Sequence, residues 1–131
     1  MHSDPISDLL TRIRNAVNVR HTYLEVPLSK IKLEIVKILQ AEGFIENHEI
    51  STGSKFPNLR IKPKYDTTNQ PVIKHLKRIS TPGLRVYQSS TDIKPIRNGL
   101  GTRVVSTSQG LLTDREARKR RIGGEIICEV W

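Results

Sequence analysis

Residues 103–131 read RVVSTSQGLLTDREARKRRIGGEIICEVW, and how that stretch is parsed decides the fold. Its β-branched start predicts a strand over Arg103–Thr107. A row of hydroxyls follows, Ser106, Thr107 and Ser108, set between Val104-Val105 and Leu111-Leu112. Thr113-Asp114-Arg115-Glu116 has the pattern of a capping box, so a short helix is expected over 113–121, ended by Gly123-Gly124. The apolar run from Ile126 to Trp131 predicts a closing strand. The C-terminal part therefore reads as mostly β with one short helix, and Ser106–Gly110 as either a plain turn from strand to helix or a short comb of hydrogen-bonding hydroxyls.

Upstream, Gly99-Leu100-Gly101 marks a turn. Ser80-Thr81-Pro82-Gly83 suits a type II turn with Pro82 and Gly83 at its centre, followed by the alternating Leu84–Gln88, so a strand-turn-strand is expected. The run Val72–Ile79 fits neither the helical nor the strand period. The polar segment Asp66–Pro71 is the best boundary in the chain and divides it into domains 1–70 and 71–131. In the first, Ile6, Leu9, Leu10, Ile13 and Val17 form one helical face behind Asp4 and Pro5. Arg12, Arg14, Asn15 and Asn18 lie on its other face. Tyr23–Pro27 alternates like a strand. Ser29 caps a second helix with a stripe of Ile31, Ile35, Ile38 and Leu39 that stops at Gly43. Strands are expected over 44–50 and 58–65. The fold class is α+β: two small packed domains, the first α-β-α-β-β.

Composition narrows the partner. The chain has 131 residues, 36% hydrophobic and 27% charged, which fits the soluble globular class, and no apolar run approaches a membrane span. The opening MHSDPISDLL has no signal-peptide character, and the single cysteine, Cys128, fits a buried, inert thiol. The net charge is +9, which predicts attraction to a polyanion. Residues 1–70 hold ten basic and eight acidic side chains, whereas residues 71–131 hold twelve and five, so the second part should meet that partner. Arg115, Arg118, Lys119, Arg120 and Arg121 form either a solvated basic face or, beside the hydroxyl row, a phosphate-contacting one.

Catalysis fits poorly. A nucleophile elbow around Ser108 would need glycine two positions to either side, and Ser106 stands at one of them. No glycine is followed directly by Lys and Ser or Thr, as a phosphate loop requires. The histidines at 2, 21, 48 and 75 lack ligand spacing, and with one cysteine no zinc site is credible. No enzyme, metal or cofactor is expected. What remains is recognition: consecutive hydroxyls can bond to phosphates, riboses or base edges, and folded RNA offers all three. Tyr87 either stacks on a base or is a half-buried strand tyrosine. The rival reading is a basic DNA-compacting module that works by charge alone.

The segment VVSTSQGLLTDREARKRRIGGEIICEVW resembles the C-terminal signature of the small-subunit ribosomal protein eight family in its bacterial form. In that signature a strand ending in Ser-Thr-Ser-x-Gly leads to a Thr-Asp-Arg helix and a Gly-Gly-Glu strand. SDPISDLLTRIRNA, SKIKLEIVKILQAEGFIE and LKRISTPGLRVY resemble the family's first helix, second helix and central hairpin, so the resemblance covers nearly the whole chain. It implies a structural constituent of the small ribosomal subunit that binds the central domain of small-subunit ribosomal RNA and supports assembly and translation. The implied protein is a monomer within the ribosome, beside neighbouring small-subunit proteins and away from membranes. By position, Ser106, Thr107, Ser108 and Gly110 would contact an irregular internal loop, with Gly124 and Glu125 in the Gly-Gly-Glu segment. Lys30, Arg85 and Tyr87 match further contacts, with Arg115, Arg118 and Lys119 beside them. The closing EVW and the DREAR helix look like cyanobacterial and plastid members, so the location implied is a chloroplast stroma or a bacterial cytoplasm. The segment 51–65 departs from the family pattern.

Overall fold

A computed structural model describes residues 4–53 and 55–131. They form two compact units, one spanning Pro5–Lys74 and the other gathering Asp4 with His75–Trp131.

The first unit follows from two amphipathic helices and one half-buried sheet. Helix α1, Pro5–Asn18, buries Leu9, Leu10, Ile13, Ala16 and Val17, the face its apolar spacing predicts. After strand β1, Leu24–Pro27, Ser29 caps helix α2, Lys30–Ala41, its hydroxyl accepting from the Lys32 N–H. The buried stripe of α2 is Ile35, Val36 and Leu39. Ile31 and Ile38, expected in it, are only half-buried. Gly43 takes φ +85°, where only glycine is unstrained, so that the Phe44 N–H reaches back to the Leu39 carbonyl at 2.9 Å and closes the helix in a Schellman turn. Strands β2, Ile45–Ser51, and β3, Asn58–Pro63, complete an antiparallel sheet in the order β1-β3-β2. Alternate β3 residues point inward, Leu59 and Ile61 among them, while Arg60 and Lys62 face out and pair with Glu49 and Glu46.

The polar segment after β3 is no slack linker. Asp66 Oδ1 accepts from the N–H groups of Thr68 and Gln70 and from the Thr68 hydroxyl, an Asx-type turn. Arg20 donates to the Asn69 carbonyl and to the Gln70 side chain, and the Tyr65 hydroxyl donates to the His21 carbonyl at 2.6 Å.

The second unit is a sheet built around its last strand. Strands β4, Leu76–Arg78, and β5, Tyr87–Gln88, precede a 3-10 turn at Arg97–Gly99, strand β6, Thr102–Thr107, strand β7, Gly110–Thr113, helix α3, Asp114–Arg120, and strand β8, Gly124–Val130. Both β4 and β5 pair antiparallel with one edge of β8, β6 pairs with the other, and β7 lies outside β6. Ile93, Val105, Ala117 and Ile126 form a fully buried cluster against which Ile79 and Val86 pack. Past β8, Trp131 exchanges both backbone hydrogen bonds with His75 and stacks on its ring at 3.8 Å.

Four expectations for this unit need correction. Leu111-Leu112 does not simply run into the helix; residues 110–113 are a strand, so Ser106–Gly110 is the tip of a β-hairpin. The helix ends at Arg121, which adopts the left-handed conformation itself, and not at Gly123-Gly124. Residues 76–88 do form a local turn, with Thr81 and Leu84 bridged around Pro82-Gly83. Gly83, however, does not take the positive φ that a type II turn demands. The strands on either side, β4 and β5, pair with β8 and not with each other.

Candidate nucleic-acid interface

The β6–β7 hairpin turns on two residues, Ser108 and Gln109, with Gly110 at φ +96°. A left-handed glycine after a short turn is what lets the second strand return in register. The three hydroxyls of this tip have different employment. Thr107 Oγ1 accepts from the Gln109 N–H at 3.0 Å and donates to the Gly110 carbonyl at 2.8 Å, so it builds the turn. Among the described residues the Ser106 and Ser108 hydroxyls bond to nothing, and Ser108 is exposed. The turn is also held from outside: Arg120 of α3 donates to the Gln109 side chain at 3.0 Å and to Glu116 at 3.0 Å.

Cross-strand register sets the rest. Glu125 on β8 stands opposite Tyr87 of β5 on one side and Ser106 of β6 on the other. Directly paired residues present their side chains on one face, so Tyr87, Glu125 and Ser106 form a row across three strands, about 10 Å from end to end at the usual strand spacing. Tyr87 is 69% exposed, which makes it an available stacking surface and not a half-buried strand tyrosine.

The two glycines make this row possible. A Cβ on Gly124 would lie 2.1 Å from the Ser106 carbonyl oxygen, and one on Gly123 would lie 2.5 Å from that of Gln88. Both positions exist for close backbone approach, which draws β5 and β6 onto the start of β8.

Beneath the row lies a polar cluster that sequence reasoning missed. Ser80 is fully buried, and its hydroxyl donates to Glu125 Oε2 at 2.5 Å while accepting from the Val86 N–H at 3.1 Å. Arg85 donates to the same carboxylate oxygen at 2.9 Å. Burial pushes the Glu125 carboxyl up, but the Ser80 and Arg85 hydrogen bonds, with the charges of Arg85 and Arg78, outweigh it and hold the group below its ordinary value. Nothing local in Ser80-Thr81-Pro82-Gly83 signals this cluster, because its partner Glu125 lies 45 residues away.

The basic residues of α3 divide in the same way. Arg118 pairs at 2.8 Å with Asp114, which is 1% exposed and also accepts from the Arg103 N–H. Arg118 is therefore tied into the unit. Arg115 and Lys119 are exposed on the helix. Lys30 belongs to the first unit, exposed at the first residue of α2. Cys128 is buried in β8, and desolvation pushes its thiol up to about 12, so it remains a protonated core group. Among the described residues no group of three or more His, Cys, Asp or Glu side chains could hold a metal ion, and no helix is long and apolar enough to cross a membrane.

Comparison with known proteins places the chain among ribosomal proteins. The family described as Ribosomal protein S8 matches residues 4–131. The chain is 56% identical over 129 residues to the small ribosomal subunit protein uS8 of Geobacillus kaustophilus. It is 54% identical over the same length to those of Acholeplasma laidlawii and Staphylococcus carnosus, with 98% of each chain covered. The chain belongs to the ribosomal protein S8 family; it is a ribosomal structural protein and not an enzyme.

Proposed function

We propose that this chain is a structural constituent of the small ribosomal subunit, binding the central domain of small-subunit ribosomal RNA through the β6–β7 hairpin and the Tyr87–Glu125–Ser106 row. In that role it supports subunit assembly and translation as a monomer beside neighbouring small-subunit proteins. The relatives' name, small ribosomal subunit protein uS8, supports the setting. Their bacterial sources favour a bacterial cytoplasm over a chloroplast stroma. The observation that carries the RNA reading is the pair of hydroxyls, Ser106 and Ser108, left without an internal partner beside an exposed tyrosine.

In this reading the residues take distinct parts. Ser106, Ser108 and Glu125 read the RNA, Tyr87 stacks, and Arg85, Arg115 and Lys119, with Lys30 of the first unit, meet phosphates. Thr107, Gly110, Gly124 and Arg118 shape the surface. The second unit, with its excess of basic residues, supplies most of the attraction. Phosphate contacts attract without specifying sequence, whereas hydroxyls against an irregular loop specify.

The test is a set of titrations with three ligands: a small-subunit RNA helix carrying an irregular internal loop, the same helix with that loop replaced by regular pairs, and a DNA duplex. The looped RNA should bind tightest. Ser106→Ala should lose about 1–3 kcal/mol on it, from unmatched polar partners, and bind the regular helix as wild type does. Equal affinity for all three ligands would leave only charge, and the reading would be wrong.

A further inference from the structure

One buried hydroxyl, two residues beyond β4, ties β8 to the residue before β5. Ser80 has no exposed surface, yet both its hydrogen-bonding functions are spent on the interface: it donates to Glu125 Oε2 and accepts from the N–H of Val86, the residue before Tyr87. Its own backbone N–H is held by the Ile126 carbonyl at 3.0 Å, so the hydroxyl is anchored to β8 from beneath. Through Glu125 it also fixes Arg85, which shares the same carboxylate oxygen. A buried serine with both functions satisfied could be replaced by alanine only by leaving the Val86 N–H without its acceptor and the carboxylate with one donor fewer.

From this geometry we infer that Ser80 is a positioning residue for RNA recognition: it turns the Glu125 carboxylate so that Oε2 faces inward and Oε1 faces the bound RNA. The inference rests on the RNA-binding reading above. Among the described residues Oε1 receives no hydrogen bond, and a carboxylate oxygen can only accept. It therefore takes an N–H or O–H donor of the RNA and not a phosphate oxygen. Arg85, at 2.9 Å from Oε2, offsets the charge that would otherwise repel the phosphate backbone. A carboxylate left to rotate would lose that discrimination while leaving the phosphate contacts in place. Ser80 acts through Glu125 and touches no RNA itself.

The first measurement needs no RNA. In the free, full-length protein, carbon-13 titration of the Glu125 carboxyl should move upward in Ser80→Ala, toward the ordinary carboxylate value, and return in Ser80→Thr, which keeps a hydroxyl. The charged and titratable groups facing Glu125 are Arg85, Arg78 and Tyr87, all unchanged by these substitutions. The second is a double-mutant cycle on the looped RNA. Ser80→Ala should weaken binding about tenfold, one missing hydrogen bond to a charged group. It should leave the regular helix and the salt dependence unaltered, and add little in a Glu125→Gln background. Repeating the cycle with deoxyriboses in the loop identifies the donor: the coupling disappears if it is a ribose hydroxyl and persists if it is a base. Ser80→Cys, of similar size but a weak donor, covers the case in which the alanine variant does not fold, and should bind less tightly than wild type. If the wild type discriminates the looped RNA and folded Ser80 variants discriminate it equally, with Glu125 titrating unchanged, this inference fails while the RNA reading stands. If the wild type itself does not discriminate, the RNA reading fails, and the Glu125 titration alone still decides whether Ser80 holds the carboxylate.

Discussion

Gly124 shows how a single residue can be misread from its neighbours. After a capped helix, a glycine pair reads as a helix stop, yet the helix ends before it and the missing side chain is owed to Ser106, whose carbonyl oxygen would meet a Cβ at 2.1 Å. Local sequence cannot show this, because the crowding atoms come from residues 18 positions away and more. Gly124→Ala should cost about 1–3 kcal/mol of stability, as overpacked sites do, seen as a lower urea midpoint with an unchanged slope. Cys128, by contrast, was legible from its apolar flanks. With its thiol pushed up to about 12 by burial, it should resist iodoacetamide at pH 8 in the native protein and react promptly once denaturant opens the sheet. Thr107 and Ser106 looked equivalent in the sequence; only the turn geometry separates the hydroxyl that folds the hairpin from the one that faces outward.

At the scale of elements, both ends of α2 were readable because their signals are local, Ser29 at one terminus and Gly43 at the other, whereas its stripe was legible only at Ile35 and Leu39. Strand β7 was not. It spans only Gly110–Thr113, runs directly into a capping box, and follows a turn of Ser and Gln in place of the Asn-Gly or Asp-Gly pairs that announce a hairpin. Helix α3 was legible in position but not in the division of its charges. Arg118→Ala should lower stability, because it strips the buried Asp114 of its cation, and leave the salt dependence of RNA binding nearly intact. Lys119→Ala should do the opposite: melting is preserved, and the slope of log K against log salt falls by about 0.7–0.9. Thermal melts and titrations at several salt concentrations distinguish the two.

For the whole molecule, the polar segment 66–71, where the sequence suggests a division at 70/71, is a hydrogen-bonded turn inside the unit Pro5–Lys74. Its centre is Asp66. Hydrogen bonds from the Gln70 N–H, the Thr68 hydroxyl and the Thr68 N–H hold its carboxyl below the usual value against a smaller desolvation effect. A carboxyl depressed on folding contributes stability above its unfolded pKa, and that contribution is lost as pH falls through the folded value. Wild type should therefore melt higher than Asp66→Asn at pH 7, and the difference should shrink as the pH drops below about 4, the ordinary aspartate value. A gap that stayed constant down to pH 2 would contradict this assignment. The position of β8 has a consequence for biosynthesis. Strands β4, β5 and β6 all pair with a segment translated after them. On a nascent chain β4 and β5 must wait, unpaired, and β6 has only β7 beside it, until residues 124–130 have left the exit tunnel. A product cut short before Glu125 has neither the strand that joins them nor the carboxylate at the centre of the row. Under the proposed RNA-binding reading, an unfinished chain lacks the centre of the row, and the complete surface exists only once synthesis has passed that strand.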